Sequence, residues 1–376
     1  MKITVNKENL LYGLTYVNRV IPVKSEIPYL NNVFIKTKKD ELELFGTDME
    51  EGIKTSIPAQ IEEEGEILIN SKIFIDMVRK LPEGKPIQIV ERDSNINITS
   101  GKSNYKIVKF SPEEFPKFPE IEGYGVEFAQ NQILDIIKKV KFSTSSGDQY
   151  PALRGIHFII ENDFIEAFST DGLRISYVKK KLDKSNEKNI SFTLPLKAIL
   201  NLERFLLPDE GVKFLVKVNE NQFYAKLEKI EIYTRLLKAE YPDLHEFVNM
   251  DDFLFSILIP KGELKEVLNR VGVLLTPESN AVKFLISGNK MKIETETPEL
   301  GLFEEEIDII NSDENIRDFT IAFSQKFLMD FIDVIRVDEI EISFRKKEGT
   351  EEKAVRLRGA GVEDYIYILM PYTLSD

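Results

Sequence analysis

A long internal repeat sets the limits on what this chain can become. Phe45-Gly46-Thr47-Asp48 returns as Phe168-Ser169-Thr170-Asp171, with the aspartates 123 residues apart. Leu81-Pro82-Glu83-Gly84 returns as Leu207-Pro208-Asp209-Glu210-Gly211, with the prolines 126 apart. Phe115-Pro116 returns 126 residues on as Tyr241-Pro242, and a further 129 on as Met370-Pro371. Solenoid units run to tens of residues, so a period of this length is a domain. The 376 residues therefore read as three copies of one α+β domain, residues 1–122, 123–249 and 250–376. The boundaries fall near Glu122-Gly123 and Asn249-Met250. Neither carries a low-complexity linker, which predicts domains packed edge to edge.

Each third opens on a helical pattern, with apolar residues three and four apart. The three are Asn9–Val17, Ile133–Val140 and Leu264–Val271. Strand-like alternation follows at Val33–Ile35, Ile156–Ile160 and Val282–Ile286. Asn162-Asp163 and Ser287-Gly288-Asn289 read as hairpin turns. A second helix in each third starts at Ser71, Pro195 or Ser324.

The net charge of −14 argues at first against nucleic acid. The average hides a segregation. Six helical windows, residues 7–20, 71–81, 130–141, 195–206, 260–271 and 324–336, together carry +7, so the rest of the chain carries −21. If the helices share one surface, that surface is positive inside an acidic shell.

Other classes fall away. The absence of cysteine removes disulfides and thiolate chemistry. His157 sits in a strand-like run and His245 in a loop after Tyr241-Pro242, and neither builds a metal cluster or a triad. No phosphate-cradling G-x-x-x-x-G-K-[ST] loop occurs, so a nucleotide motor is not expected. The run Glu304-Glu305-Glu306 reads as a solvated face. No apolar run is long enough to span a bilayer, and Met1–Asn6 lacks the apolar stretch of a signal peptide. The expectation is a cytoplasmic, non-catalytic protein that needs no cofactor and no metal.

Three motifs add identity: Ser169-Thr170-Asp171-Gly172-Leu173-Arg174, Glu240-Tyr241-Pro242-Asp243-Leu244, and Ile368-Leu369-Met370-Pro371-Tyr372-Thr373-Leu374. In this order, within a threefold repeat, they make the whole chain resemble the bacterial DNA sliding clamp, the β subunit of the replicative DNA polymerase III. The resemblance implies the DNA-clamp fold, in which three similar domains each pack two helices on antiparallel sheets. It implies a head-to-tail homodimer closed into a ring around double-stranded DNA, with the helices lining the hole. It also implies a processivity factor rather than an enzyme. The partners implied are the catalytic subunit of the replicative polymerase, an ATP-dependent clamp loader, and other clamp-binding repair or replication proteins.

Such a lining attracts phosphates without reading bases, through sequence-independent, salt-sensitive Coulomb attraction. Candidate DNA-facing residues are Lys7, Arg19, Lys72, Arg79, Lys80, Lys138, Lys139, Lys141, Lys197, Arg204, Lys261, Lys265 and Arg270, and the resemblance adds Lys24, Gln149 and Tyr150. For ring closure it implies Tyr105 and Ile107 against Val273 and Leu274, with Lys102, Lys106 and Lys109 able to face Glu304, Glu305 and Glu306. Tyr105–Ile107 reads equally as an ordinary edge strand. For partner peptides it implies an apolar pocket of Leu153, Thr170, Gly172, Leu173, Arg174, Ile175, Pro242, Phe247, Ile368, Leu369, Met370, Pro371 and Tyr372. The chain departs from the family's polar residues at Leu173, Glu246 and Thr373, and Ser375-Asp376 extends past the family's usual end. The rival reading is a three-domain docking scaffold that never touches nucleic acid. It accounts for the repeat and the acidity but not for the basic bias of the helices.

Overall fold

The computed structural model describes residues 1–183, 188–276, 280–298, 300–313, 315–316, 319–345 and 353–372. The motif residues Thr373 and Leu374, and Ser375-Asp376, lie outside them.

Seven α-helical segments occur among the described residues: α1 Lys7–Val17, α2 Ser71–Lys80, α3 Gln130–Val140, α4 Leu196–Glu203, α5 His245–Val248, α6 Lys261–Val271 and α7 Gln325–Val334. Six coincide with the helical windows of the sequence. The seventh, α5, is a single turn where a loop was expected. At α2 the cap is Asn70 rather than Ser71. The Asn70 side chain accepts the Ile73 N–H at 3.0 Å, while the Ser71 hydroxyl donates to Asn18.

The chain folds into two compact units. One comprises residues 1–132 and 200–236. Its five-stranded antiparallel sheet runs Gln60–Glu63, Lys2–Val5, Ile87–Glu91, Asn95–Ser100, Ser103–Val108. Its eight-stranded sheet runs Tyr124–Ala129, Lys213–Val218, Gln222–Leu227, Ile230–Arg235, Glu51–Pro58, Glu41–Thr47, Asn32–Lys38, Glu66–Asn70. α1 lies on strands Glu41–Thr47 and Glu51–Pro58 and against α2. It buries Leu10, Leu14 and Val17 completely, the face its spacing predicts.

The other unit comprises residues 133–199 and 237–376. Its nine-stranded sheet runs Ile190–Pro195, Gly155–Glu161, Phe164–Thr170, Arg174–Lys181, Tyr365–Leu369, Val355–Gly359, Glu339–Arg345, Phe253–Pro260, Ile310–Asn311. A four-stranded sheet runs Gly301–Asp308, Lys290–Thr297, Ala281–Ser287, Phe319–Ser324. α6 packs against α7 and strand Phe253–Pro260. Both expected hairpins form, with Asn162 at φ 48° and Gly288 at φ 57°.

The sheets ignore the sequence thirds. Strand Ile230–Arg235 of the second third pairs with Glu51–Pro58 of the first. Strand Arg174–Lys181 pairs with Tyr365–Leu369 of the last. Each pairing fuses consecutive repeats through backbone hydrogen bonds, which is why no linker appears in the sequence.

Candidate docking pocket and nucleic-acid interface

The repeated Thr-Asp motif builds the same turn twice. In the second copy, the Thr170 hydroxyl donates to the Arg174 carbonyl at 2.6 Å and accepts the Gly172 N–H at 3.0 Å. Asp171 Oδ1 accepts the N–H groups of Leu173 and Arg174 at 3.0 and 3.2 Å. Gly172 stands at φ 92°, a conformation that favours glycine. The turn thus consumes its own polar groups and leaves Leu173 55% exposed.

Behind it lies Arg174, almost fully buried. Its Nε donates to Asp171 at 2.9 Å, and its terminal nitrogens to Asp330 at 2.7 Å and to the Phe142 carbonyl at 2.6 Å. The guanidinium lies 4.0 Å from the centroid of the Phe327 ring. Burial alone would lower its pKa, but Tyr367, Asp330 and Asp171 outweigh that and raise it. Arg174 is therefore a fixed post behind the wall, its charge satisfied internally.

The wall encloses a cavity of about 230 Å³ lined by Leu153, Thr170, Gly172, Leu173, Arg174, Ile175, Pro242, Leu244, Phe247, Ala354, Ile368 and Met370. Ten of the thirteen expected pocket residues meet here. Leu369 does not: it alternates with Ile368 along the strand and is fully buried, since successive strand residues point to opposite faces. Pro371 and Tyr372 also lie outside the lining, and the Tyr372 N–H bonds the Ala322 carbonyl at 2.7 Å. Sequence reasoning missed Leu244 and Ala354. Leu244 sits two residues beyond Pro242 and opens the unforeseen helical turn, whereas nothing in the sequence marks Ala354. A larger cavity, about 860 Å³, lies in the other unit between segment Pro112–Glu122 and the eight-stranded sheet. Its wall carries the ion pairs Lys36–Glu66 and Lys54–Glu231 at 3.3 and 3.2 Å. The smaller cavity is the better docking site, because its lining is otherwise uncharged and its one charge, Arg174, is already paired with Asp171 and Asp330, so apolar anchors have little to desolvate.

The basic candidates divide. Lys7 is buried, and its ammonium donates to the Leu81 carbonyl at 2.7 Å and Glu83 at 2.5 Å; it ties α1 to the chain beyond α2 and cannot face DNA. Arg79 pairs with Asp76, Lys139 with Asp135, Lys265 with Asp333, and Arg270 with Glu305 in a two-pronged contact. Lys261 donates to the Ile335 carbonyl at 3.1 Å. By contrast, Arg19, Lys24, Lys72, Lys80, Lys138 and Arg204 have no carboxylate partner among the described residues. Burial, and then the nearby Arg204 charge, lower the Arg19 pKa, and Arg19 Nε is buried without a hydrogen-bond partner. Uncompensated positive charge of this kind favours a polyanion. Lys141 and Lys197 are engaged within the chain. Gln149 and Tyr150 are exposed beside the short helical turn Pro151–Arg154.

The expected closure residues sit on sheet edges. Ser103–Val108, bearing Tyr105, Lys106 and Ile107, is the outer strand of the five-stranded sheet, and Gly301–Asp308 is that of the four-stranded sheet. Lys102 and Lys106 are exposed. Val273 is 79% exposed and Leu274 half-buried. The anticipated carboxylates are already engaged at home: Glu304 with Lys292 at 2.6 Å, Glu305 with Arg270, Glu306 with Lys290. Lys109 likewise pairs with Glu91 at 2.9 Å. A charge zipper between Lys102, Lys106 and Lys109 and Glu304–Glu306 would have to compete with these contacts. Strand edges and apolar side chains are better placed to close an interface.

Three family models match in succession: the DNA polymerase III beta subunit N-terminal domain over residues 1–119, the central domain over 127–243 and the C-terminal domain over 252–373. The chain is 26% identical over 356 residues to a beta sliding clamp of Staphylococcus epidermidis, covering 92% of this chain and 93% of the relative. Its fold matches the DNA polymerase sliding clamp of Bacillus subtilis with a TM-score of 0.93 at 23% identity. It matches the Pseudomonas aeruginosa sliding clamp bound to griselimycin with a TM-score of 0.91 at 22% identity. Each structural match covers the whole of both chains.

Proposed function

The chain belongs to the DNA polymerase III beta subunit family, and from that premise we propose how its residues carry the work. It is a sliding clamp: a non-catalytic accessory subunit that makes the polymerase processive. This membership disfavours the scaffold that avoids nucleic acid. We keep the sequence division into domains 1–122, 123–249 and 250–376 as the working one; the successive family matches support it.

Two copies, head to tail, close a ring around duplex DNA. The exposed edges Ser103–Val108 and Gly301–Asp308 join through backbone pairing and apolar contact, with Tyr105 and Ile107 meeting Val273 and Leu274. Opening such a ring calls for an ATP-dependent loader, since this sequence has no phosphate loop. Arg19, Lys24, Lys72, Lys80, Lys138 and Arg204 hold the duplex by charge alone, leaving it free to slide. Partners, the replicative polymerase first among them, insert an apolar peptide into the cavity between Leu173, Pro242, Phe247 and Met370. The cytoplasm is where such a chain works, and among the described residues no helix is long and apolar enough to cross a membrane.

The observation that carries the tethering is the apolar cavity, beside a turn whose Thr170 hydroxyl and Asp171 carboxylate are spent on its own backbone and on Arg174. The topological claim is tested by loading the chain with its loader onto nicked circular DNA. Retention should survive moderate salt on circles and vanish when the circle is cut. Equal retention on linear DNA would remove the ring. Binding to griselimycin, abolished by L173D, checks the cavity.

A further inference from the structure

Both histidines of the chain brace one stretch of backbone: the connector from Tyr241 to Val248, which gives Pro242, Leu244 and Phe247 to the cavity wall. The His157 ring stacks on Tyr241 with centroids 4.7 Å apart and planes 6° off parallel. Its nitrogens lie 2.9 and 3.1 Å from the hydroxyls of Thr193 and Ser191. Burial, helped by the charge of His245, pulls its pKa down to about 4, so it is neutral at physiological pH.

His245 is built the opposite way. Its Nδ1 lies 2.6 Å from Asp243 Oδ1, and its Nε2 lies 3.0 Å from Glu166 Oε2 on strand Phe164–Thr170. Asp243 also accepts the His245 backbone N–H at 3.0 Å, which starts α5. The Phe168 ring meets the imidazole edge to face at 5.0 Å. The charged and titratable groups around it are Asp243 on the connector, Glu166, His157 on strand Gly155–Glu161, and Lys179 and Tyr177 on strand Arg174–Lys181. Lys179 pairs with Glu166 at 2.7 Å, and burial followed by Glu166 raises the Tyr177 pKa. An imidazole between two carboxylates donates to both only as the cation. Neutral, it has one N–H, and its other nitrogen turns a lone pair on a carboxylate oxygen.

We propose that His245 is a positioning residue for docking: as an imidazolium bridging Asp243 and Glu166 it pins α5, and with it Leu244 and Phe247, so that the cavity is fully shaped at low pH and loosens as the pH rises. The proposal rests on the cavity being the docking site. The sign follows from linkage. Burial would lower the His245 pKa, but the hydrogen bonds to Asp243 and Glu166 prevail and raise it above 6.5. The bridge therefore contributes in full below that value and is lost as the pH climbs through the folded-state pKa. His157 does not titrate in this window and the chain has no cysteine. The N-terminal amine belongs to the other unit, where it pairs with Glu91.

The experiment titrates griselimycin into the full chain at about pH 6 and about pH 8.5 and measures amide hydrogen exchange of residues 245–249 in the free chain. Wild type should bind roughly fivefold more tightly at the lower pH, the scale of a charge-assisted hydrogen bond used to hold a wall. H245Q and E166Q should both flatten that profile at the weaker value and lower the protection of the α5 amides. Variants that keep the wild-type pH profile and protection would overturn the inference. A wild type that binds no griselimycin, while α5 protection still falls with pH and in H245Q, would remove the docking reading and leave the histidine bridge supported.

Discussion

The same turn closes twice, at the fusion of the first and second thirds and at that of the second and last, and the second copy opens into an apolar pocket. Thr47 repeats Thr170 down to the distances: its hydroxyl donates to the Glu51 carbonyl at 2.7 Å and accepts the Met49 N–H at 3.0 Å. Asp48 caps Glu50 and Glu51 as Asp171 caps Leu173 and Arg174. The surroundings differ. Opposite Gly52 stands Tyr233, whose hydroxyl lies 2.8 Å from that of Thr47. The ring sits so close that a Cβ on Gly52 would meet it at 2.2 Å. Phe45 and Phe118 complete an aromatic cluster, with Phe118 5.2 Å from Tyr233. In the second junction Ile175 faces Ile368, and this aliphatic pair lines the cavity, with Phe247 in its wall, and leaves the space to a ligand. The comparison teaches that the backbone repeat makes a site possible and that the side chain across the strand decides whether it is filled.

The posts behind the turns differ as well. Arg174 meets Asp330 of α7, whereas its counterpart Glu51 takes two hydrogen bonds from Asn201 of α4, at 3.0 and 3.1 Å. Arg174→Ala takes the buried partner from Asp171 and leaves Asp330 only Lys326 among the described residues, and should cost about 3 kcal/mol in chemical denaturation. Asn201→Ala should cost about 1–2 kcal/mol, because only a neutral donor is lost. Equal losses would erase the distinction. Next in size, Leu173→Asp should weaken griselimycin binding at least roughly tenfold with little change in melting. The matching change in the filled junction, at exposed Glu50, should leave binding untouched. Tyr233→Phe removes the buried hydroxyl contact with Thr47 and should cost about 1 kcal/mol; it should not create a second binding equivalent in calorimetry, because the ring still fills the space. The smallest effect exchanges the turns' left-handed residues. Met49 sits at φ 79° and Gly172 at φ 92°. Met49→Gly should stabilise, and Gly172→Ala destabilise, by about 1 kcal/mol or less, read from denaturation midpoints. Nothing lies within 4 Å of a Cβ at Gly172, so the cost there is backbone alone.

Much of this was legible beforehand. Apolar spacing and helix-start residues together located six helices, and the paired motifs placed the two turns. The cavity's exposed members, Leu173, Pro242 and Met370, lay in motifs visible as sequence. The Lys7 assignment failed because a charge on an amphipathic pattern does not reveal whether the ammonium reaches water or a carbonyl such as that of Leu81. The home partners of Glu304–Glu306 were equally hidden: Lys290 and Lys292 lie across a hairpin, and Arg270 lies on α6, contacts that alternation alone does not register. No catalytic partner for either histidine shows in the sequence, and Glu166, which His245 meets, lies 79 residues from it.

By itself the sequence determined the repeat, the class of the six longer helices and the turn chemistry, because these depend on periodicity and on groups a few residues apart. Only the tertiary structure decided which charges stay free, which junction remains open and what braces its wall. Those outcomes depend on side chains brought together from distant strands, where a tyrosine or an isoleucine fits the same local pattern and fills a different volume.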